Sequence, residues 1–454
     1  MRSIVIALAL IGGVMSTPIP AEAADSERPL TYRHIRVVEA DETVVSVAPI
    51  PDASPPRWAR DVAQKRFRWS KAQSERPFFA QPIPYVIPPT DEGEPFHSHN
   101  HQPSIAWLPN GDLLAIWYST AAESGTELTV LASRLRAGAS AWDPSSEFFK
   151  APNRNMHGSS IFHDGKGTIY HFNGMGPDVG RGWAKLALLM RISRDNGVTW
   201  TPVRAIAPKI EGRHQVISGT LMTRRGVLIQ NCDAVPGGNG GTALHISMDR
   251  GRTWNDPGRG KPAPVFVEGG TGQGTIAGIH AQVVELKDGR LMALGRGDSI
   301  EGRMPMSISD DLGATWSYRA SPFPPISGGQ RLVLRRLKEG PLLFVGFTSS
   351  IREPEANGMT FRDADGNEIT GHGMYAALSF DDGRTWPVRR LLTPGGGEWD
   401  GGAHTGRFVA TPTRAEHGGY LAATQTPDGV IHLISSRLHY RFNLAWLKQG
   451  WPLK

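Results

Sequence analysis

The chain has 454 residues, a formal net charge of +6 and one cysteine, Cys232, which excludes an internal disulfide. Its charges are dispersed without a Lys/Arg block, which excludes the basic stripe of a nucleic-acid-binding protein and suits an anionic ligand or polysaccharide. An apolar run over residues 4–14, followed by Ala21-Glu22-Ala23, predicts a signal peptide over residues 1–23. No other apolar stretch is long enough to span a bilayer, so we expect a secreted or periplasmic protein without membrane insertion.

Residues 24–95 form a proline-rich segment ahead of the main domain, which we place at residues 96–454. The prolines predict an extended arm packed on that domain. We expect one short helical piece in the arm, Trp58 to Gln73, and one strand near His34 to Glu39. This strand is expected to pair with the last repeat of the main domain, so that no sheet edge is left open.

An eight-residue pattern, Ser-Xaa-Asp-Xaa-Gly-Xaa-Thr-Trp, occurs four times without a mismatch. Each copy follows a short apolar stretch, which predicts a strand that ends in a tight turn. The Ser and Asp side chains accept backbone hydrogen bonds that close the turn, Gly supplies a positive φ, and Trp fills the space between layers. The aspartates of these Asp boxes are therefore predicted to be structural and not catalytic. The four boxes are Ser193–Trp200, Ser247–Trp254, Ser309–Trp316 and Ser379–Trp386.

Two weaker copies extend the series. Ser133 to Trp142 has lost the Asp, and Phe442 to Trp446 keeps only the Trp. The six tryptophans then lie 54 to 70 residues apart along the chain. Each repeat also opens with an apolar strand, a Gly-containing turn and a second apolar strand, as in Ile105 to Trp117. Six repeats of this period predict an all-β fold, a six-bladed β-propeller with four strands in each blade.

The first strand of each propeller blade lines the central channel, so its first residues surround the mouth of that channel. Counting back from the glycine of each hairpin places polar or titratable side chains at these positions in every repeat. Histidine and tyrosine there are candidate acid–base or nucleophilic groups. Such histidines can also cap backbone groups, and a metal site is a further alternative, although no carboxylate is among them. The positions hold His101, His157, His214, His280, Gln330 with Arg331, and Tyr420.

More charged residues follow the second strand of the fourth repeat. Arg296 should emerge on the channel side, where its guanidinium can bind a sugar carboxylate; a salt bridge to a neighbour such as Glu301 is the alternative. Glu301 and Arg303 are further candidates for substrate binding. In the first repeat, Glu123 and Glu127 lie in a polar connection, where one of them can act as a general acid or both are simply solvated.

Together with the Asp boxes, these residues resemble the bacterial sialidase (neuraminidase) superfamily, whose BNR or Asp-box repeats build a six-bladed propeller. The resemblance covers residues 98–448, and sialidases have Asn-Glu in place of Ile279-His280. It implies that Arg296 matches an arginine of the triad that binds the sugar carboxylate. It also implies that Gly419-Tyr420-Leu421 matches the stretch that carries the tyrosine nucleophile.

The chain departs from the family pattern at two positions. The family's Arg-Ile-Pro motif is His101-Gln102-Pro103 here, and the glutamate that activates the tyrosine is replaced by His280. A sialidase needs three arginines around the carboxylate of the sugar. Arg296 matches one of them, and Arg331 or Arg407 are the remaining candidates.

Three functions remain open from the sequence, and we favour the first. It is a secreted exo-sialidase-like glycoside hydrolase that acts on a terminal, anionic sugar, with Tyr420 as nucleophile, His280 as its base and Glu123 as acid. The second is a polysaccharide lyase that cleaves a uronate-containing glycan with histidine, tyrosine and arginine. The third is a glycan-binding propeller without activity. No cofactor is expected. His101 completes the predicted catalytic set, and the predicted substrate-binding residues are His157, His214, Arg296, Arg331, Glu301 and Arg303.

Overall fold

The computed structural model describes residues 31–41, 44–70, 75–177 and 182–451. They form a β-propeller of six antiparallel sheets, the blades, around a central channel. The predicted all-β, six-bladed fold is confirmed. The predicted signal peptide, residues 1–23, lies outside the described residues. Within the described part of the chain, no helix is long and apolar enough to cross a membrane.

The strands of the first three blades follow one another from the channel outwards. Blade 1 contains His99–Trp107, Leu113–Thr120, Thr129–Leu135 and Ser146–Phe149. Blade 2 contains Ser159–His163, Ile169–Met175, Leu186–Ser193 and Arg204–Glu211. Blade 3 has an innermost strand broken into Gln215–Val216 and Leu221–Met222, followed by Leu228–Asp233, Thr242–Ser247 and Thr275–Ile276.

The last three blades have the same order. Blade 4 contains Ile279–Glu285, Leu291–Arg296, Pro305–Ser309 and Thr315–Ala320, with Thr271–Gln273 on its outer edge. Blade 5 contains Val333–Arg336, Leu342–Phe347, Met374–Ser379 and Val388–Leu391. Blade 6 contains Ala422–Gln425, Ile431–Ile434, Leu438–Phe442 and, from the N-terminal arm, Phe79–Pro84.

The strand that closes the ring is not the predicted one. Phe79–Pro84 pairs with the third strand of blade 6, whereas His34–Asp41 pairs with Val44–Ile50 and extends the outer edge of blade 2. In the sequence alone, the two prolines of Phe79–Pro84 indicate a loop and not a strand. Proline is tolerated there because the strand lies on a sheet edge, with an irregular register between Ala80 and Ile83.

The arm differs from expectation in a second respect. The structure describes residues 58–70 of the predicted helical piece, Trp58 to Gln73, and in these residues the helical structure is limited to the end of a short 3-10 turn, Arg57–Ala59. Trp58 is buried there, and its indole nitrogen donates to the carbonyl oxygen of Glu147 in blade 1, 2.9 Å away. The arm is thus anchored by a side chain against a blade and not by a helix of its own.

The four Asp boxes lie between the third and fourth strands of blades 2 to 5 and are structural, as predicted. In the first box, Asp195 accepts from the backbone nitrogen of Thr199 at 2.9 Å and from its hydroxyl at 2.5 Å. The hydroxyl of Ser193 accepts from the backbone nitrogen of Gly197, whose φ of 77° is the left-handed conformation that glycine favours. The other three boxes repeat these bonds.

The apolar core lies between neighbouring blades. One buried cluster joins Ile229 and Leu244 of blade 3 to Val283, Ala293 and Trp316 of blade 4. Because each blade is held on both faces in this way, the inner strands are fixed relative to one another. The mouth of the channel is therefore a rigid platform for side chains contributed by different blades.

Three pairs of short strands and one helical turn complete the described fold. A hairpin, Glu398–Asp400 with Arg407–Val409, is inserted between blades 5 and 6, and a second, Met359–Arg362 with Glu368–Gly371, lies within blade 5. Two short segments, Gln330–Arg331 and Gly419–Tyr420, pair in parallel and join the inner ends of blades 5 and 6. A single helical turn, Leu444–Leu447, follows blade 6.

Candidate functional site

Five predicted residues meet at one end of the channel, and the side chain of Tyr420 lies at the centre of the group. Its hydroxyl is bonded to His280 and Arg296, and its ring contacts Arg331 and His101. These side chains come from blades 1, 4, 5 and 6, far apart in the chain. The structure therefore brings these five predicted residues together in one cluster.

An Asp233–His280–Tyr420 chain forms the chemical centre of this group. The Nε2 atom of His280 lies 2.7 Å from the hydroxyl oxygen of Tyr420. On the other side of the imidazole, Nδ1 contacts the carboxylate of Asp233, which also accepts from the backbone nitrogen of His280 at 2.6 Å. An acceptor at Nδ1 favours the tautomer with its proton there, which leaves Nε2 free to take the proton of Tyr420. This is the arrangement of a nucleophile, a base and a group that orients the base.

Two guanidinium groups flank the tyrosine. Arg296 donates from Nη1 to the hydroxyl of Tyr420 at 3.0 Å and to the carbonyl of Gln330 at 2.8 Å. The guanidinium carbon of Arg331 lies 5.1 Å from the centre of the Tyr420 ring. Positive charge at both places stabilises a tyrosinate more than a neutral phenol.

The pKa values follow from burial and these neighbours. Burial, with the nearby Arg296 guanidinium, lowers the pKa of His280 to about 4, against the opposing effect of Asp233. His280 is therefore neutral at neutral pH, as a general base must be. Burial raises the pKa of Tyr420, and the bond from Arg296 works in the opposite direction. The hydroxyl therefore stays protonated until the imidazole removes its proton.

A second layer of side chains lies next to this chain, nearer to the solvent. It contains His99 and His404, whose ring centres are 5.4 Å apart, and Glu123, whose carboxylate lies 3.3 Å from Nε2 of His99. Tyr118 donates its hydroxyl proton to Glu123 at 2.6 Å. The bond with His99 and that with Tyr118 lower the pKa of Glu123 to about 2. Glu123 is thus held as a carboxylate, the opposite of what its predicted role as general acid requires.

Two predicted histidines lie in the wall of the site. His101 is fully buried, its ring centre lies 3.9 Å from that of Tyr420, and its Nδ1 bonds the hydroxyl of Ser436 at 3.0 Å. His157 packs against Tyr118 with ring centres 4.9 Å apart. Burial lowers the pKa of both imidazoles, that of His157 to about 4, so both are neutral at neutral pH.

Two predicted substrate-binding residues are placed differently. The ring of His214 bonds the carbonyl of Leu186 at 2.9 Å and faces Glu211 at 3.3 Å, between blades 2 and 3 and away from Tyr420. Its side chain is fully buried at this place, so His214 does not line the mouth. Arg331 is fully buried beneath the tyrosine, where Nε and Nη2 donate to backbone carbonyls and Nη1 has no hydrogen-bond partner among the described residues. Its place makes it a positioning residue for Tyr420.

Glu301 and Arg303 lie at the rim. They are exposed in the tight turn that joins Leu291–Arg296 to Pro305–Ser309, and Glu301 has a φ of 50°. The predicted alternative of a salt bridge between Arg296 and Glu301 is not what the structure shows, because Arg296 turns inwards to Tyr420. A role of this turn in substrate binding stays a prediction.

Three residues of the site were missed by the sequence analysis. Asp233 ends the second strand of blade 3, the same place that Arg296 occupies in blade 4, so the count that found Arg296 could have found it. His99 lies two residues before His101 on the same inner strand. His404 belongs to the glycine-rich insertion between blades 5 and 6, and no repeat pattern reaches that segment.

A separate cavity lies elsewhere in the channel. It has a volume of about 670 Å³, and hairpin turns and inner strand ends line it at the opposite end of the channel. Arg224, Arg335 and Lys338 are among its lining residues, and none of the predicted site residues is. Since it holds no pair of nucleophile and base, we place the chemistry at the Tyr420 end.

Comparison with known proteins agrees with this architecture. Residues 111–433 match the BNR repeat-like domain family. A sialidase from Micromonospora viridifaciens is 24% identical over 381 residues, which cover 76% of this chain and 51% of that protein. The chain thus spans about half the length of this relative.

Two of the solved structures with the same fold are sialidases. The Streptococcus pneumoniae NanB sialidase superposes with a TM-score of 0.51 at 14% identity, covering 78% of this chain and 68% of that one. The Trypanosoma rangeli sialidase, solved as a covalent intermediate with 2,3-difluorosialic acid, superposes with a TM-score of 0.52 at 12% identity, covering 82% and 60%. At these identities the likeness establishes the propeller fold.

Proposed function

Since the chain belongs to the BNR repeat-like domain family, we propose that it is an exported glycoside hydrolase of the sialidase-like type that acts on a terminal, anionic sugar. The observation that carries the proposal is the hydrogen-bonded chain from Asp233 through His280 to the hydroxyl of Tyr420. Sialidase relatives support a glycan as the substrate. The signal peptide predicted over residues 1–23 supports export.

In the first step, the hydroxyl oxygen of Tyr420 attacks the anomeric carbon and His280 takes its proton at Nε2. The imidazolium is then paired with Asp233, and Arg296 stabilises the negative charge that develops on the phenol oxygen. Water protonates the leaving oxygen, because Glu123 is ionised. In the second step, water attacks the anomeric carbon and the bond to Tyr420 breaks, with the phenol oxygen taking back the proton on His280. The proton released by the attacking water neutralises the hydroxide left from the first step.

Histidine fits the role that a carboxylate has in related propellers for a physical reason. A neutral imidazole next to Tyr420 adds no negative charge beside the guanidinium of Arg296, which remains available to an anionic group of the sugar. The contact between Nδ1 and Asp233 raises the basicity of Nε2 without exposing that carboxylate, which is 2% accessible as a side chain. The geometry therefore supports an anionic substrate.

The burial of Arg331 supports a second candidate, a lyase acting on a uronate. Of the aligned arginines, Arg296 alone bonds the hydroxyl of Tyr420, while Arg331 is enclosed. A lyase needs a base to remove the C5 proton and one cation to neutralise the uronate carboxylate, and it needs no arginine triad. Tyr420 with His280 would supply the base and Arg296 the cation.

Product analysis separates the two. The hydrolase releases sialic acid or a related sugar from a fluorogenic glycoside, and 2,3-difluorosialic acid should leave a covalent adduct that peptide mapping locates on Tyr420. The lyase instead produces an unsaturated sugar, which absorbs in the ultraviolet, from a uronate polysaccharide. Binding of these glycans without either product would contradict both and leave a binding propeller.

The decisive variant is Tyr420→Phe. It removes one hydroxyl and is expected to lower kcat by at least about 10³-fold, because both the nucleophile and its activation are lost. Tyr375→Phe is the matched control, since Tyr375 is fully buried in blade 5 and its hydroxyl has no hydrogen-bond partner among the described residues. Equal activity of the two variants would show that Tyr420 has no chemical role.

A further inference from the structure

Two imidazoles and one carboxylate face one another at the mouth of the channel. The ligand atoms of His99, Glu123 and His404 all lie within 4.8 Å of one another. We propose that these three residues bind a divalent zinc ion. This set differs from the four histidines that the sequence suggested, and it supplies the carboxylate that those lacked. Two imidazoles with one carboxylate are a ligand set that zinc prefers.

Each ligand is held by a different part of the fold. His99 is the first residue of the inner strand of blade 1 and pairs with Thr120. Glu123 follows the second strand of that blade, and the side-chain amide of Asn155 fixes its backbone carbonyl at 2.8 Å. His404 lies in the insertion between blades 5 and 6. A metal ion here would therefore tie blade 1 to that insertion.

The loop around His404 is built to point it inwards. His404 has a φ of 67°, a left-handed conformation that costs a residue with a Cβ about 1–2 kcal/mol. The backbone nitrogen of Gly406 donates to the carbonyl of Gly402 at 2.8 Å and closes the loop on itself. Strain of this kind persists where the surrounding structure fixes the residue and clusters at functional sites.

The distances allow a zinc ion after small side-chain movements. With metal–ligand bonds of about 2.0–2.2 Å, ligand atoms in a tetrahedral site lie about 3.4 Å apart. Nε2 of His99 and Oε1 of Glu123 are already 3.3 Å apart. The ligand atom of His404 lies within 4.8 Å of the other two, so its ring reaches such a geometry by moving closer, and its exposure leaves it free to do so.

The outer coordination sphere is also present. Tyr118 donates to Glu123 at 2.6 Å and so orients its carboxylate. Outer partners of this kind raise the affinity of metal sites and fix their geometry. Beside the three ligands, the Nε2 atom of His101 is buried without a hydrogen-bond partner in the described chain, and its ring centre lies 4.5 Å from that of His404. Its imidazole is therefore available to hydrogen-bond whatever occupies the fourth position of the metal, without itself being a ligand.

A metal ion here would also resolve an electrostatic conflict in the proposed function, on which this last step rests. Glu123 places a negative charge above Tyr420, where it repels a carboxylated sugar. A zinc ion changes the charge of this layer from −1 to +1. Three protein ligands leave a fourth position open, as in catalytic zinc sites. That position would bind the substrate carboxylate in place of the missing arginines.

Metal binding can be measured without any substrate. The full chain, prepared without a histidine tag and freed of metal with a chelator, is titrated with zinc chloride in a calorimeter. We expect one tight site per chain. His404→Ala and Glu123→Gln should each raise Kd by at least about 10-fold, the loss typical of an impaired metal site. Cobalt chloride should give visible absorption bands of a low-coordinate site in the parent protein alone.

A matched control is His372→Ala, because His372 also lies next to a glutamate, with Nδ1 3.7 Å from Glu355. It should leave Kd unchanged. An unchanged Kd in His404→Ala, or an equal loss in His372→Ala, would overturn the metal site. If zinc binds as expected but Tyr420→Phe keeps full turnover, the proposed function is wrong and the metal site stands. If Tyr420→Phe loses turnover but zinc does not bind as expected, the metal site alone is rejected.

Discussion

Gln102 and His280 have almost the same backbone conformation, with φ of 54° and 53°, on the inner strands of blades 1 and 4. In both strands the pairing register is interrupted at this residue, between His101 and Ser104 and between Ile279 and Gln282. A bulge of this kind redirects a side chain that would otherwise follow the strand alternation. It turns the imidazole of His280 towards Tyr420.

The bulge predicts an unusual stability ranking at position 280. His280→Gly and His280→Ala both remove the base and should be inactive, but glycine tolerates the left-handed conformation that alanine does not. We expect His280→Gly to be the more stable variant by about 1 kcal/mol. Urea unfolding measures the difference. A more stable alanine variant would contradict the strained conformation at this position.

Asp233 is predicted to act through His280 and not on the substrate. Asp233→Asn keeps the shape of the side chain but removes the charge that favours the active tautomer, and kcat should fall by about 10²–10⁴-fold with little change in KM. Because Asp233 raises the pKa of His280, the acidic limb of the pH–rate profile should also move to lower pH. A purely structural role would lower kcat without moving that limb.

The sequence predicted the propeller because its repeat is local and periodic. Each Asp box closes its own turn with its own side chains, so the pattern survives without knowledge of the rest of the fold. The arm strand could not be assigned from such a pattern, since the partner of Phe79–Pro84 lies more than 350 residues away.

In the site, counting located His280 and Tyr420 but not their orientation. By its backbone conformation, the residue of blade 1 that is equivalent to His280 is Gln102 and not His101. Since side chains alternate along a strand, an offset of one residue changes the direction in which a side chain points.

The pH dependence of activity should show His280 as a base of low pKa. With a pKa of about 4, the imidazole is neutral above that pH and protonated below it. We therefore expect kcat/KM to be constant from about pH 5 through neutrality and to fall as the pH decreases through about 4. Circular dichroism at each pH separates this fall from unfolding. An acidic limb near pH 6.5 would show that His280 titrates as an exposed histidine.

The Asp boxes should contribute to stability without contributing to catalysis. Asp195→Ala removes the bonds that Asp195 accepts from Thr199 and is expected to cost about 1–2 kcal/mol in the free energy of unfolding, as for the loss of a helix N-cap. The turn lies between the outer strands of blade 2, away from Tyr420. Kinetic constants below the unfolding temperature should therefore equal those of the parent protein, and a lower kcat would contradict a structural role.

A buried carboxyl group predicts the pH dependence of stability. Glu416 is fully buried, accepts the hydroxyl proton of Tyr440 at 2.8 Å, and burial raises its pKa to about 8. A raised pKa favours the protonated form in the folded state, so this group's contribution is complete below about pH 4.5 and is lost as the pH rises through about 8. Glu416→Gln resembles the protonated form, so the difference in free energy of unfolding between this variant and the parent should grow in its favour by about 3–4 kcal/mol from pH 5 to pH 8. Glu301→Gln, in an exposed turn, is the control and should show no such gain. Thermal unfolding at the two pH values measures both, and equal curves for Glu416→Gln and the parent would mean that Glu416 is ionised in the folded protein.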